Sequence, residues 1–169
     1  MLYFLGVHML YQIEKWIEQT NIEYQKQRIS CSKFFDEFDG FYPIDFLQNT
    51  YFVIVDTIPK PNFPELRQIG LRDFMDMELD GITYKNTYYI LPQHASNLRL
   101  HFHELVHVAQ WQHLGAIPFI EHYITEIQTY GYREAPLEKM AYAFDTHFTN
   151  GGRKIDVLNY VAQNIKKNN

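Results

Sequence analysis

Residues His103 to His107 read His-Glu-Leu-Val-His, and this pentad constrains the fold more than any other stretch of the chain. Two histidines four positions apart fall about one turn apart on the same side of a helix, so both imidazoles can reach one metal ion. Glu104 points about 100° round from His103 and can lean over a metal-bound water as a general base.

The flanking residues predict that helix. On a 3.6-residue wheel Leu98, Phe102, Leu105, Val106 and Ala109 share one side, while Leu100, His103, His107, Gln110 and Leu114 share another. Ser96 or Asn97 is a good N-cap and Gly115 a good stop, which gives a helix of about 17 residues. An apolar face beside a separate histidine face argues against a surface helix that merely carries two histidines.

A catalytic zinc takes three protein ligands and leaves a position for water, so a third ligand is needed. The preferred candidate is Glu138. Pro136 suits the first turn of a new helix whose apolar side is Leu137, Met140, Ala141, Phe144 and Phe148, with Glu138, Tyr142 and Asp145 together on another side. The plain alternative is a solvated first-turn glutamate favoured by the helix dipole. His113 ranks second: it has the spacing of H-E-x-x-H-x-x-G-x-x-H, but Gln110 replaces the glycine that turns the chain. In an unbroken helix His113 lies about 120° from His107, out of reach of the same ion. Glu134 precedes Pro136, belongs in the turn, and ranks third.

The segments His103–Gln110 (HELVHVAQ) and Glu134–Phe144 (EAPLEKMAYAF) resemble small predicted bacterial metallopeptidases of gluzincin type, in which H-E-x-x-H is completed by a glutamate on a later helix. Gly81–Ile90 (GITYKNTYYI) resembles the strand pair that precedes the zinc helix in those domains. The resemblance implies that His103, His107 and Glu138 bind Zn2+, that Glu104 is the catalytic base, and that the substrate is a peptide or protein. It also implies an α+β, zincin-like fold: a small antiparallel or mixed sheet packed on several helices, with a sheet edge along the cleft. Thr87 to Ile90 is the candidate edge, where an extended peptide can add as a strand. The chain departs from the N-E-x-x-S-D pattern of the best-known gluzincins, having Leu137, Ala141 and Tyr142 at the Asn, Ser and Asp positions. Asp145, one turn later, can orient a ligand histidine instead if the two helices cross suitably.

A chain of 169 residues, 46% apolar and 17% aromatic, is expected to be a single domain spanning residues 1–169 with one core. Its net charge of −5 gives no general pull toward nucleic acid or an anionic membrane. Cys31 is the sole cysteine and reads as structural, without an internal disulfide. Residues 1–7 (MLYFLGV) lack a basic flank and are soon interrupted by His8, Gln12, Glu14 and Lys15, so neither a signal peptide nor a membrane span is expected. A cytoplasmic location is the default.

Along the rest of the chain, His8 to Arg28 reads as an amphipathic helix through Leu10, Ile13, Ile17 and Tyr24. Tyr51 to Asp56 is the clearest strand. Pro59, Pro61 and Pro64 stiffen a loop before a short helix within Leu66–Met77. Ile82–Tyr84 and Thr87–Leu91 form a hairpin turned at Lys85-Asn86. Further helices are expected from Pro118 to Tyr130 and from Pro136 to the Gly151-Gly152 pair, with a last amphipathic helix over Ile155–Ile165. No repeat or linker is apparent.

A zinc peptidase is the leading expectation: the cation acidifies a water, Glu104 takes its proton and passes it to the leaving amine, and Tyr142 or a tyrosine of the Tyr130/Tyr132 turn is the candidate donor to the oxyanion. The alternative is an inactive zincin-like module that binds a protein partner around a structural metal.

Overall fold

The computed structural model describes residues 6–167, so the first five residues of the apolar opening run lie outside it. The chain begins with α1 (Val7–Glu23), β1 (Ile29–Ser30), a 3-10 turn (Cys31–Phe34), α2 (Ile44–Gln48) and β2 (Tyr51–Ile54). A broken helical segment follows as α3 (Pro64–Leu66), a π turn (Arg67–Leu71) and α4 (Arg72–Asp76). Then come β3 (Gly81–Tyr84), β4 (Thr87–Ile90), α5 (Leu98–Leu114), α6 (Ala116–Tyr130), α7 (Pro136–Thr149) and α8 (Val157–Asn164). The class is mixed α+β, with helices packed around a small mixed sheet.

The sheet runs in the order β1-β2-β4-β3, antiparallel at β1–β2 and β4–β3 and parallel at β2–β4. This corrects one expectation. Thr87–Ile90 is an interior strand, hydrogen-bonded on both sides and buried at all four residues; the outer strands are β1 and β3, and it is β3 that lies beside Glu104. The local hairpin signal finds β3 and β4 but says nothing of the distant Tyr51–Ile54 segment that takes the other side of β4. The hairpin itself is as expected, with Lys85 at a positive φ of 61° in the turn. Its ammonium is fixed by Glu14 and Glu18 of α1 at 3.0 and 2.8 Å.

Other boundaries shift for local reasons. α1 buries Leu10, Ile13, Ile17 and Thr20 on one strip but stops at Glu23, where Tyr24 leaves helical geometry and packs edge-on to Tyr89 at 5.4 Å. The expected helix within Leu66–Met77 breaks at Gly70, whose φ is 93°. α6 starts at Ala116, two positions before Pro118, because a proline in the first turn removes no intrahelical bond. α8 begins only after Asp156, whose side chain accepts from the Asn159 N–H.

α5 is the centre of the fold. Asn97 caps it by accepting from Leu100 N–H, and Gly115, at φ 84°, ends it. From His101 to Trp111 every residue is buried, because β3 and β4 cover one side while α6, α7 and α8 cover the others. The histidine face is therefore as enclosed as the apolar one. Phe102 fills the opposite side, stacked on Phe148 at 4.7 Å and edge-on to Phe38 and Phe41. Among the described residues no helix is long and apolar enough to cross a membrane.

Candidate metal centre

The centre lies where α5 and α7 pack side by side. His103 and His107 project from consecutive turns of α5, and Glu138 comes from the first turn of α7. Pro136 opens α7, and the Glu126 carboxylate of α6 accepts from the Leu137 N–H at 2.9 Å, so this end is held by a neighbouring helix. The Nε2 atoms of His103 and His107 are 3.2 Å apart, and the two oxygens of Glu138 stand 3.2 Å from the first and 3.0 Å from the second. His103, His107 and Glu138 are 4%, 5% and 1% exposed. These three side chains could hold a metal ion.

Neighbouring groups decide which nitrogens carry protons. His103 Nδ1 lies 2.8 Å from Asp145 Oδ2, and the other oxygen of Asp145 accepts from Arg99 Nε at 2.8 Å. His107 Nδ1 lies 2.8 Å from Gln110 Oε1; the amide is oriented by its own NH2, which donates to the Leu137 carbonyl at 3.0 Å. Each Nδ1 thus faces an acceptor and carries an N–H, so that whenever the imidazole is neutral its lone pair lies on Nε2. With the imidazoles neutral, two lone pairs and a carboxylate face one another, an arrangement that either a proton on each Nε2 or a metal ion could satisfy.

The electrostatics express the same need. Burial alone would strip His103 of a proton, but Asp145 and Glu138, with the Glu104 charge, outweigh it and hold its pKa up at about 10. His107 is likewise raised despite burial, chiefly by Glu138. Burial would raise Glu138, yet the two histidines hold its carboxyl well below the usual range. Tyr123 adds a hydroxyl that donates to Glu138 Oε1 at 3.0 Å.

Glu104 is buried at the margin of the centre, against the edge strand. The Thr83 hydroxyl donates to its Oε2 at 2.6 Å, and a Cβ at Gly81 would lie 2.9 Å from its Oε1, so only glycine leaves that oxygen its place. Burial pushes its pKa up, against the pull of His103 and His107. A polar cleft of about 400 Å³, lined by Arg99, Arg133, Tyr132, Tyr142 and Asp145, reaches Glu104 and His103 from outside.

Comparison with family models, with curated proteins and with solved structures found no match for this chain. The geometry and chemistry of its own residues therefore carry the functional argument.

The structure brings together His103, Glu104, His107 and Glu138, and the helices cross so that Asp145 does meet His103. It excludes the two other candidate ligands. His113 points away, its Nε2 2.7 Å from the Ile165 carbonyl, because α5 continues unbroken past Gln110. Glu134 sits exposed in the turn before α7, paired with Lys139 at 3.2 Å. Of the candidate tyrosines, Tyr142 lies over the His103 ring at 4.6 Å between centroids and Tyr132 lines the cleft, whereas Tyr130 is exposed and does not line it. Burial holds both Tyr132 and Tyr142 protonated, their pKa values raised further by Glu138. Sequence reasoning missed Thr83, Tyr123 and the part played by Gln110; only the three-residue step from His107 hinted at the last.

Proposed function

We propose that this protein is a zinc-dependent peptidase of gluzincin type, with His103, His107 and Glu138 as the zinc ligands and Glu104 as the general base. The observation that carries the reading is the convergence of two imidazole Nε2 atoms and one carboxylate, with contacts of 3.0–3.2 Å between the three groups. Two neutral imidazoles and a carboxylate form a donor set well suited to zinc. When bound, zinc supplies Lewis acidity, polarising a scissile carbonyl and making a water beside it more acidic.

The chain's own residues supply the rest. Glu104, with a pKa raised by burial, takes the proton of the attacking water and returns it to the leaving amine. Thr83 holds one of its oxygens and Gly81 leaves room for the other. A hydroxyl of Tyr132 or Tyr142 donates to the developing oxyanion. The free edge of β3 lies beside Glu104, where an extended peptide or protein segment can add as a strand and be held by its backbone. The zincin-like character rests on this combination of edge strand, H-E-x-x-H helix and later glutamate helix.

The deep burial of the three ligands favours a second reading, an inactive zincin-like module that binds a protein partner around a structural metal. Metal analysis and peptide hydrolysis separate the two. The peptidase reading expects one zinc per chain and chelator-sensitive cleavage of a mixed peptide library. Glu104→Gln should lower cleavage by about 10²- to 10⁴-fold while keeping its zinc. Zinc without hydrolysis, with unfolding on chelation, supports the second reading; a wild-type protein that takes up no zinc sinks both.

A further inference from the structure

The polar cleft has a counterpart on the inner side of Glu104. A cavity of about 80 Å³ reaches Glu104, His107 and Glu138, and Leu79, Gly81 and Tyr132 line both spaces. Its walls are apolar: Ile17 of α1, Leu71 and Phe74 of the broken segment, Trp111 of α5 and Ile120 of α6. Apart from the centre's own groups, the wall includes the indole of Trp111, whose N–H is buried without an acceptor. An empty apolar void destabilises a fold in proportion to its volume, and this one adjoins the residues assigned to the chemistry.

We infer that this cavity is a specificity subsite that receives a short aliphatic side chain from the residue next to the scissile bond; the inference rests on the peptidase reading. A peptide lying along β3 has its backbone in the polar cleft, and one side chain passes Gly81 into the cavity. Gly81 presents no side chain at this divide, since a Cβ there would press on Glu104. Size sets the selection. The cavity is about half the volume of the ~150 Å³ void that admits benzene, so side chains of three or four carbons fit and aromatic rings do not. Valine, leucine and isoleucine are the preferred residues.

The test measures binding to the zinc-loaded protein with acetohydroxamic, 3-methylbutanohydroxamic and benzohydroxamic acids, which anchor on zinc and differ only in the attached group. The branched alkyl compound should bind about tenfold or more tighter than the acetyl compound, and the benzoyl compound should gain nothing. Ile120→Phe, which fills the cavity, should bring the alkyl-to-acetyl ratio to about one. Leu71→Phe, from a different segment, should do the same if the first variant folds poorly. Equal affinities across the wild-type series, or an alkyl preference that survives both substitutions, overturn the subsite. Zinc content and library cleavage on the same preparation report separately on the peptidase reading. Cleavage with no aliphatic preference removes the subsite alone, whereas the hydroxamate ranking without cleavage overturns the peptidase reading and with it the specificity role, leaving an aliphatic pocket beside the metal.

Discussion

Replacing Gln110 with methionine should weaken zinc binding by roughly 5- to 150-fold without unfolding the protein. Gln110 is fully buried, and its carbonyl oxygen sits 2.8 Å from His107 Nδ1. Methionine has similar length and fills the same space but offers only a weak thioether acceptor. Water has no room to replace the amide, so an Nδ1–H there becomes an unsatisfied buried donor, at a cost of about 1–3 kcal/mol. The imidazole can avoid that cost by moving its proton to Nε2, where Glu138 Oε1 waits at 3.0 Å. That tautomer cannot ligate a metal through Nε2. Zinc must reverse the shift, and the same 1–3 kcal/mol appears as the loss of affinity. The Leu137 carbonyl loses the amide donor at 3.0 Å but stays within α7, where a helical N–H can satisfy it. A competitive titration against a chromogenic chelator measures the effect, with Gln112→Met on the exposed side of α5 as control. A Gln110→Met protein with native near-ultraviolet circular dichroism and zinc affinity within about threefold of wild type would refute the tautomer argument.

Glu138→Ala should reduce zinc to well below one per chain under dilute conditions, while His113→Ala keeps full occupancy; equal zinc in the two proteins would remove Glu138 from the site. On the peptidase proposal, Gly81→Ala should keep zinc but lose on the order of 10²-fold in peptide hydrolysis, because its Cβ meets Glu104 Oε1 at 2.9 Å and a small displacement of the proposed base is costly. Stability of the metal-free protein should depend on pH from both sides. His103 is raised from 6.5 to about 10, so its contribution is complete below 6.5 and is lost as pH climbs toward 10. Glu138 is depressed below 4.5, so its contribution is present above 4.5 and is lost as pH falls. Thermal melts of chelated protein should therefore fall on the alkaline side of 6.5, and a flat profile there would contradict the assigned couplings.

The two histidines and their helix were legible because the helical period is local: spacing, cap and glycine stop all lie within the same stretch of chain. Glu138 was legible for a related reason, since Pro136 fixes where its helix begins and so which residues share its face. Its approach to the histidines, and that of Asp145, depends on how α5 and α7 cross, which the wheel alone cannot supply. Thr83 and Tyr123 are further removed still. A threonine in a strand and a tyrosine in a helix have no pattern of their own, and they become site residues only because β3 and α6 pack against α5. The interior position of β4 was hidden in the same way, because its parallel partner Tyr51–Ile54 is far off in sequence and no turn signal links them.

Charge ties these separate placements together. Glu104, Glu138 and Asp145 are buried carboxylates around two imidazoles, and the nearest fixed positive charge among their bonded partners is Arg99, which is paired with Asp145. With the imidazoles neutral and both carboxyls ionised, Glu104 and Glu138 leave the interior with two unmatched negative charges, and such charges are costly unless matched. Two protons on the histidines can match them, and the raised pKa values of His103 and His107 are the sign of that solution. A divalent cation matches them as well, and it meets the three inward-facing acceptors directly while Asp145 and Gln110 keep the Nδ1 protons in place. Proton and metal thus compete for one charge deficit. Where pH leaves the imidazoles free to lose their second proton, the same three side chains could hold a metal ion in its place.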